Sequence, residues 1–251
     1  NVESNLGGDC RQDAEFAFSM MGTVLREMDF PVESIIRQWN YIRDILGFDD
    51  GMQRYQEFNN VRSLFYGDNF DENGFPAATG IGMNRGGVMI EFVAIKSAEM
   101  RSLALDNPDQ IAAHRYSEEV LVGQKCVLKT TPKFERARYL DLYGRKMIFI
   151  SGTASITGEE TVGIQDPVTQ TKVTIANIRK LYADEVLAKI SGEKLTPRYG
   201  HARVYIKNRH DFRAIRRTFS ALYGNLPVVY IIADICRDNL LVEIEGKVVL
   251  D

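Results

Sequence analysis

Near the end of the chain, two glutamates lie two positions apart on an otherwise apolar segment. Glu243 and Glu245 alternate with Val242 and Ile244. Because successive side chains of a strand point to opposite faces, both carboxylates would share one face. Charged residues on such a strand are mostly solvated, and this is the expectation from composition. If Glu243 instead faces a cleft, burial raises its pKa and makes it a usable proton donor.

A cysteine precedes these glutamates. Cys236 is either a nucleophile or a small buried hydrophobe, and the lack of a histidine nearby in the sequence favours the second interpretation. The other cysteines, Cys10 and Cys126, form no C-x-x-C pair with it. The histidines show neither H-x-x-x-H nor H-E-x-x-H spacing. The sequence therefore predicts no metal site and no disulfide framework.

Two further patterns offer places for a ligand. Residues 151–155 read Ser-Gly-Thr-Ala-Ser after an apolar stretch. This run is either a tight exit from a strand or a wall that an anionic ligand can approach closely. Three residues alternate on another predicted strand: Arg203, Tyr205 and Lys207. They are either the solvated side of a sheet or a clamp for carboxylates.

The elements that carry these residues are repeated along the chain. The second half reads as a strand, a helix, a strand, a helix and two strands: Arg145–Ser151, Val168–Val186, Arg203–Lys207, a helix from Phe212, Val228–Ile235 and Leu241–Val249. The first half runs from a helical pattern through Ile35–Ile45 to a helix at Tyr55–Phe65 and a strand at Val88–Phe92. Pro76 lies fifteen positions before Glu91, and Pro227 lies sixteen before Glu243, which indicates a duplication.

The repeat predicts an α+β fold of two tandem β-α-β-α-β-β units. We assign residues 1–100 to a first unit, residues 101–138 to a connecting segment and residues 139–251 to a second unit that carries the catalytic residues. The first unit lacks its opening hairpin, since Asn1 already lies just before its first helix. We therefore expect that residues precede the given sequence.

The composition of the chain limits its partners. The 251 residues include 31 basic and 34 acidic side chains, so no global positive field would attract nucleic acid. The longest apolar stretches, such as Leu226–Ile232, are far shorter than the ~20 residues of a membrane span. No secretion signal opens the sequence. The sequence thus predicts a cytoplasmic protein with neither a nucleic-acid nor a membrane partner.

Ordered landmarks over nearly the whole chain resemble the chorismatase family, in which two RidA/YjgF-like units occur in one polypeptide. The matching segments are RYQEFNNVR from Arg54, LDNPDQ from Leu105, PKFERA from Pro132, ISGTASI from Ile150, ADICR from Ala233 and LVEIEG from Leu241. Each segment is weakly specific by itself. Their shared order over the chain makes the set specific.

The resemblance implies a cofactor-independent enzyme that removes pyruvate from chorismate to give 3- or 4-hydroxybenzoate or a dihydroxycyclohexadiene carboxylate. It implies that Glu243 is the general acid for the enol ether and that Cys236 and Ala154 steer the product, with Cys236 resembling the 3-hydroxybenzoate branch. The implied substrate-binding residues are Arg203, Tyr205, Lys207, Arg136, Gly152 and Ala154. RidA-like units usually form trimers, so we expect a monomer or a homotrimer.

Departures from the family pattern leave other functions open. Glu159 stands where His is expected and Lys207 where Arg is expected. Unlike Arg, Lys cannot bind a carboxylate through two parallel hydrogen bonds. One alternative is a RidA-like imine or enamine deaminase, which uses an Arg just after a Pro. Here Pro76 is followed by Ala77, and Pro227 is likewise followed by an apolar residue. A non-catalytic, small-molecule-binding RidA-fold protein is the other alternative.

Overall fold

The structure is a computed structural model that describes residues 2–70, 72–117, 119, 121, 129–192 and 194–251. The first elements are β1 (Val2–Ser4), α1 (Cys10–Glu27), β2 (Ile35–Arg43), β3 (Phe48–Asp49), β4 (Met52–Gln53), α2 (Arg54–Tyr66), β5 (Ala77–Met83), β6 (Val88–Ala94) and β7 (Met100–Leu105). They are followed by β8 (Ala137–Leu142), β9 (Arg145–Ala154), β10 (Ile156–Thr157), β11 (Glu160–Thr161), α3 (Pro167–Lys180), α4 (Asp184–Ile190), β12 (Pro197–Ile206), α5 (Phe212–Tyr223), β13 (Val228–Ile232) and β14 (Val242–Leu250). Cys126 and part of the predicted connecting segment lie outside the described residues. None of the helices in these ranges has the length and apolar character needed to cross a bilayer.

The first sheet has four strands in the order β1-β6-β2-β5. Strand β2 runs parallel to β5 and antiparallel to β6. Helices α1 and α2 cover one face through an apolar core that includes Phe18, Phe58, Ile42 and Ile90. Helix α1 begins at Asp9, whose carboxylate accepts a hydrogen bond from the backbone N–H of Gln12 and so satisfies one free donor of the first turn.

The second sheet has six strands in the order β13-β12-β14-β9-β8-β7. Strand β12 runs parallel to β13 and antiparallel to β14. Its core includes Val204, Ile244, Ile175 of α3 and Phe219 of α5. The edge strand β7 comes from the segment after the first sheet and pairs with β8.

The predicted α+β class and the internal repeat are confirmed. In the first sheet, α2 connects the parallel strands β2 and β5, and the chain returns antiparallel as β6. In the second sheet, α5 connects β12 to β13, and the chain returns as β14. Strands β6 and β14 occupy equivalent places in the two sheets. The next strand beside β14 is β9, which forms a hairpin with β8, whereas the next strand beside β6 is the single short strand β1. The residue boundaries of the two units stay a prediction.

Three predicted elements differ from the structure in type or length. The region through Ile35–Ile45 contains the strand β2, which is covered on both faces: Gln38 accepts a hydrogen bond from Tyr66 of α2, and Arg37 bonds to β14. A strand buried on both faces lacks the alternation that identifies strands. The helix predicted over Val168–Val186 is two helices, because the backbone tightens at Leu181, whose N–H bonds to Ile178.

The strand predicted over Val228–Ile235 is also too long, since β13 ends at Ile232. After Ala233, whose N–H still bonds to Ile206, the chain leaves the second sheet. The carbonyl of Asp234 accepts a hydrogen bond from Gly82 of β5 instead. The chain after β13 therefore joins the two sheets, which places Cys236 between them.

Side-chain hydroxyls bond β5 of the first sheet to β9 of the second. The Ser151 hydroxyl donates to the carbonyl of Glu135 at 2.5 Å and accepts from the N–H of Ala78 at 3.0 Å. The N–H of Gly152 donates to Oγ1 of Thr79 at 3.0 Å. The sheets are thus joined by specific bonds at the level of the small-residue run 151–155.

Candidate active site

A cleft lies where the two sheets meet. Its wall residues include Gln53, Tyr55, Gln56, Asn59, Tyr116, Phe134, Arg136, Gly152, Ala154, Cys236, Arg237 and Glu243. A smaller pocket, the inner pocket, adds Arg62, Ala78, Thr79 and Gly80 to the lining. Both pockets share Glu243, which therefore lies at their junction.

Glu243 is a buried carboxyl group, with 4% of its surface exposed. On β14 it lies between Ala154 of β9 and Tyr205 of β12. Burial, and next the negative charge of Glu245, raise the pKa of Glu243 to about 8. The group therefore carries its proton at neutral pH. The expectation that it is solvated is wrong, because the first sheet covers this face of β14.

Gly152 provides the space for this carboxyl group. A Cβ built on Gly152 would overlap Oε1 of Glu243 and would lie 3.1 Å from Cγ2 of Thr79. The small-residue run is thus a wall that the protein's own Glu243 approaches closely, and its use by an anionic ligand stays a prediction. Ala154, next along β9, lines the outer cleft.

Glu245 has the opposite environment, although it is as deeply buried as Glu243. Its carboxylate accepts hydrogen bonds from Arg37 Nη2 at 2.5 Å, Trp39 Nε1 at 3.0 Å, Tyr205 OH at 3.1 Å, Arg203 Nη1 at 3.2 Å and the Thr79 hydroxyl. These donors compensate its negative charge. No hydrogen bond is among the causes that set the pKa of Glu243.

Arg136 brings a cation to the outer cleft. Its Nη2 donates to the carbonyl of Ile111 at 2.9 Å and to the hydroxyl of Tyr116 at 2.5 Å. Its Nε is buried and has no hydrogen-bond partner among the described residues. A guanidinium that lines a cleft and has no carboxylate partner among the described residues can bind an anion.

Two more arginines line the cavities. Arg62 of α2 is 1% exposed, donates to Oδ1 of Asn59 at 2.6 Å, and has a buried Nε without a partner among the described residues. Arg237 donates to the carbonyl of Glu159 at 2.6 Å. Neither forms an ion pair with a described carboxylate. The cleft thus presents cations on both sides of Glu243.

Cys236 forms part of the wall beside Glu243. Burial, together with the nearby Glu243, raises the pKa of the Cys236 thiol to about 12. The thiol is therefore protonated at neutral pH, which favours the small buried hydrophobe over the nucleophile. Within the described ranges, no group of three His, Cys, Asp or Glu side chains is arranged to hold a metal ion.

The structure brings together some predicted site residues and separates others. Those in the cleft are Glu243, Cys236, Arg136, Gly152 and Ala154. The predicted carboxylate clamp on β12 does not line it: Arg203 and Tyr205 bind Glu245. Nζ of Lys207, just after β12, donates to Oδ1 of Asp238 at 2.6 Å.

Sequence analysis missed Tyr55, Arg62, Tyr116 and Arg237. A signal for two of them is present in α2, where Tyr55, Asn59 and Arg62 follow the i, i+4, i+7 spacing of one helix face. A polar stripe beside an apolar one indicates a second buried surface. Tyr116 has no comparable pattern, since it follows a short 3₁₀ turn and is placed by Arg136.

Comparisons with known proteins agree with this geometry. A family model described as "Chorismatase FkbO/Hyg5-like, N-terminal" matches residues 1–94. A 3-hydroxybenzoate synthase of Streptomyces hygroscopicus is 34% identical over 245 residues, which cover 92% of this chain and 68% of that protein. The chain belongs to the chorismatase family. The family resemblance that the ordered motifs predicted is confirmed.

Two further relatives are similar over most of the chain. A chorismatase of Streptomyces rapamycinicus is 32% identical over 239 residues, which cover 92% of this chorismatase-family chain and 67% of that protein. A crystal structure of a chorismatase superimposes with a TM-score of 0.83 at 28% identity, covering 99% of this chain and 72% of the other. The chain thus spans about two thirds of the length of its curated relatives.

Proposed function

We propose that this protein cleaves chorismate to pyruvate and 3- or 4-hydroxybenzoate, or to pyruvate and a dihydroxycyclohexadiene carboxylate, with Glu243 as general acid. The observation that carries the proposal is a protonated carboxyl group at the junction of two cavities that arginines line. The names of the relatives, chorismatase and 3-hydroxybenzoate synthase, support the same substrate.

Glu243 supplies the proton for the reaction. Chorismate is an enol ether, and a proton added to its methylene carbon produces an oxocarbenium ion. Glu243 becomes a carboxylate in this step, so its new negative charge stabilises the adjacent cation. A positioned proton donor of this kind typically accelerates a reaction by about 10²–10⁴-fold. A pKa of about 8 keeps the donor loaded at neutral pH.

The arginines supply the binding energy for a dianionic substrate. Arg136 lies in the outer cleft and Arg62 in the inner pocket, and each has an unpartnered Nε–H. A guanidinium binds a carboxylate with two parallel hydrogen bonds, which fixes orientation as well as charge. Carboxylates held on either side of Glu243 would place the reactive double bond against the acid.

The attacking group determines the product. Attack by water on the oxocarbenium ion releases pyruvate and leaves a dihydroxycyclohexadiene carboxylate, so one water is consumed. A hydroxybenzoate and pyruvate together contain the same atoms as chorismate, so that outcome takes up no net water. Cys236 and Ala154 line the space beside the acid in which this choice is made.

The oligomeric state that we propose is a monomer or a homotrimer. Size-exclusion chromatography combined with assays over a range of concentrations checks this.

The test is to incubate the purified protein with chorismate and to measure pyruvate enzymatically and the aromatic products by mass. We expect pyruvate release by the wild type and a loss of at least about 10²-fold for Glu243→Gln. Glu91→Gln, which removes a carboxylate from β6 of the first sheet, is the matched control and should retain activity. Binding of chorismate without turnover would instead identify a binding protein. Hydrolysis of 2-iminopropionate would favour the deaminase.

A further inference from the structure

The two buried glutamates of β14 have unequal partners. Five donors surround Glu245, and they come from three strands: Arg37 and Trp39 of β2, Thr79 of β5, and Arg203 and Tyr205 of β12. Glu243, two residues earlier, faces the cavities. A carboxylate with that many donors is held in one position, whereas Glu243 faces the cavities without such a set of donors.

Thr79 connects the Glu245 network to the slot of the acid. Its hydroxyl donates to Glu245 and accepts from Arg37 Nη2 at 2.5 Å and from the N–H of Gly152 at 3.0 Å. Gly152 is the wall against which the Glu243 carboxyl group packs. Glu245 therefore acts on Glu243 in two ways. Its charge acts directly, and its hydrogen bonds through Thr79 hold Gly152, against which Glu243 packs.

We propose that Glu245 is a positioning residue for the proton donor: its carboxylate acts on Glu243 through its charge, and its hydrogen-bond network holds the Gly152 wall that seats the acid. The assignment rests on the proposed function, because it gives Glu245 a task in that reaction. Glu245 lines neither the cleft nor the inner pocket, so it acts through Glu243 and not on the substrate.

The charges that face Glu243 have opposite effects on its pKa. Arg37 of β2 and Arg136 both lower its pKa, and Arg62 lines the same inner pocket. Burial raises the pKa values of its neighbours Tyr55, Tyr205 and Cys236, so these groups are neutral at neutral pH. Glu245 is the one negative charge acting on Glu243 from the described residues. Burial is the larger cause of the raised pKa of Glu243, and Glu245 adds to it against the opposing charges of the arginines.

The direct test is a titration that does not require turnover. Infrared difference spectra follow the Glu243 carboxyl stretch in the ligand-free protein, with Glu243→Gln as the blank. In Glu245→Gln, we expect the midpoint to fall, since the negative charge of Glu245 raises the pKa of Glu243 and the variant lacks that charge. The alkaline limb of kcat/KM for chorismate should move down by the same amount. An unchanged midpoint in the folded variant would overturn the proposal.

A second variant gives a shift of the opposite sign. Arg203 is 39% exposed, so Arg203→Met should fold even if Glu245→Gln does not. Removing a cation that compensates Glu245 strengthens its effect, and we expect the Glu243 midpoint to rise. The control Glu91→Gln should leave the midpoint in place. A midpoint that does not rise in Arg203→Met contradicts the proposal. Wild-type protein that titrates as described but releases no pyruvate would refute only the proposed function.

Discussion

At the scale of single residues, the buried carboxyl group of Glu243 lowers the free energy of unfolding at neutral pH. The folded state holds the proton of Glu243 up to about pH 8, whereas the unfolded chain loses it near the usual value of 4.5. Between these values the folded state binds more protons, so stability falls as the pH rises from 4.5 to 8. This is the reverse of the behaviour of an ion-paired carboxylate.

Glu243→Gln should therefore stabilise the protein while it abolishes turnover. At pH 7 the gain is on the order of 3 kcal/mol, because the variant has no carboxyl group to ionise in a buried slot. Chemical denaturation at pH 5 and pH 8 measures it, and the gap between variant and wild type should be larger at pH 8. A variant less stable than the wild type at pH 8 would contradict the buried, protonated acid.

Gly152→Ala tests the space reserved for the acid. The added methyl group would overlap Oε1 of Glu243, so the carboxyl group must rotate away from the cleft. We expect loss of most activity, because the acid is displaced, and a decrease in stability of about 1 kcal/mol, because a flexible side chain can move aside. Gly192 has open space around its Cβ position, so Gly192→Ala is the matched control and should behave as wild type. Equal kcat values for the two variants would refute the role of Gly152.

Arg136→Lys tests the carboxylate site. Lysine keeps the positive charge but lacks the planar set of guanidinium N–H donors, including the unpartnered Nε–H. Since a hydrogen bond to a charged group contributes about 1.5–3 kcal/mol, we expect KM for chorismate to rise by roughly 10- to 100-fold. Arg213→Lys on the exposed face of α5 controls for the substitution itself. An unchanged KM would place the substrate carboxylates elsewhere.

At the scale of elements, the site depends on the contact between β5 and β9. The buried Ser151 hydroxyl bonds both to Ala78 of β5 and to the carbonyl of Glu135, the residue before Arg136. Ser151→Ala leaves both backbone groups without a partner in a buried place. We expect a loss of about 1–3 kcal/mol in the free energy of unfolding, together with reduced activity. Ser19→Ala on the exposed face of α1 is the control, and denaturant titration of both variants is the measurement.

The elements differ in how well the sequence predicts them. Strands β9, β12 and β14 and helix α5 follow simple periodic patterns, because each has one apolar face that packs on the core. Strand β2 lacks that pattern because both its faces are covered. The Glu243 position could be predicted from the family motif, but its burial could not, since the residues that cover it belong to the other sheet.

At the scale of the whole molecule, a single buried carboxylate joins distant parts of the chain. The bond between Arg37 and Glu245 links residues 208 positions apart. No local pattern indicates such a pairing, which is why the sequence predicted Arg203 and Tyr205 as substrate ligands. Arg203 and Tyr205 do bind a carboxylate, but it belongs to Glu245 of the protein itself and not to a substrate.

This linkage predicts that the two sheets unfold together. Trp39 is the only tryptophan in the chain, and the guanidinium carbon of Arg37 lies 4.3 Å from the centre of its ring at the junction of the sheets. Tryptophan fluorescence and far-ultraviolet circular dichroism should therefore give the same midpoint in a denaturant titration. Two separated midpoints would show that the sheets are independent units.

The unpaired arginines also bear on how the reaction ends. A neutral acid leaves Arg62 and Arg136 without an ion-paired carboxylate among the described residues, so the resting cleft favours a doubly charged ligand. Breaking the ether divides that ligand into two singly charged fragments. Each fragment is then held by fewer guanidinium contacts than the intact molecule. Bond cleavage itself therefore weakens the binding of the molecule that was bound.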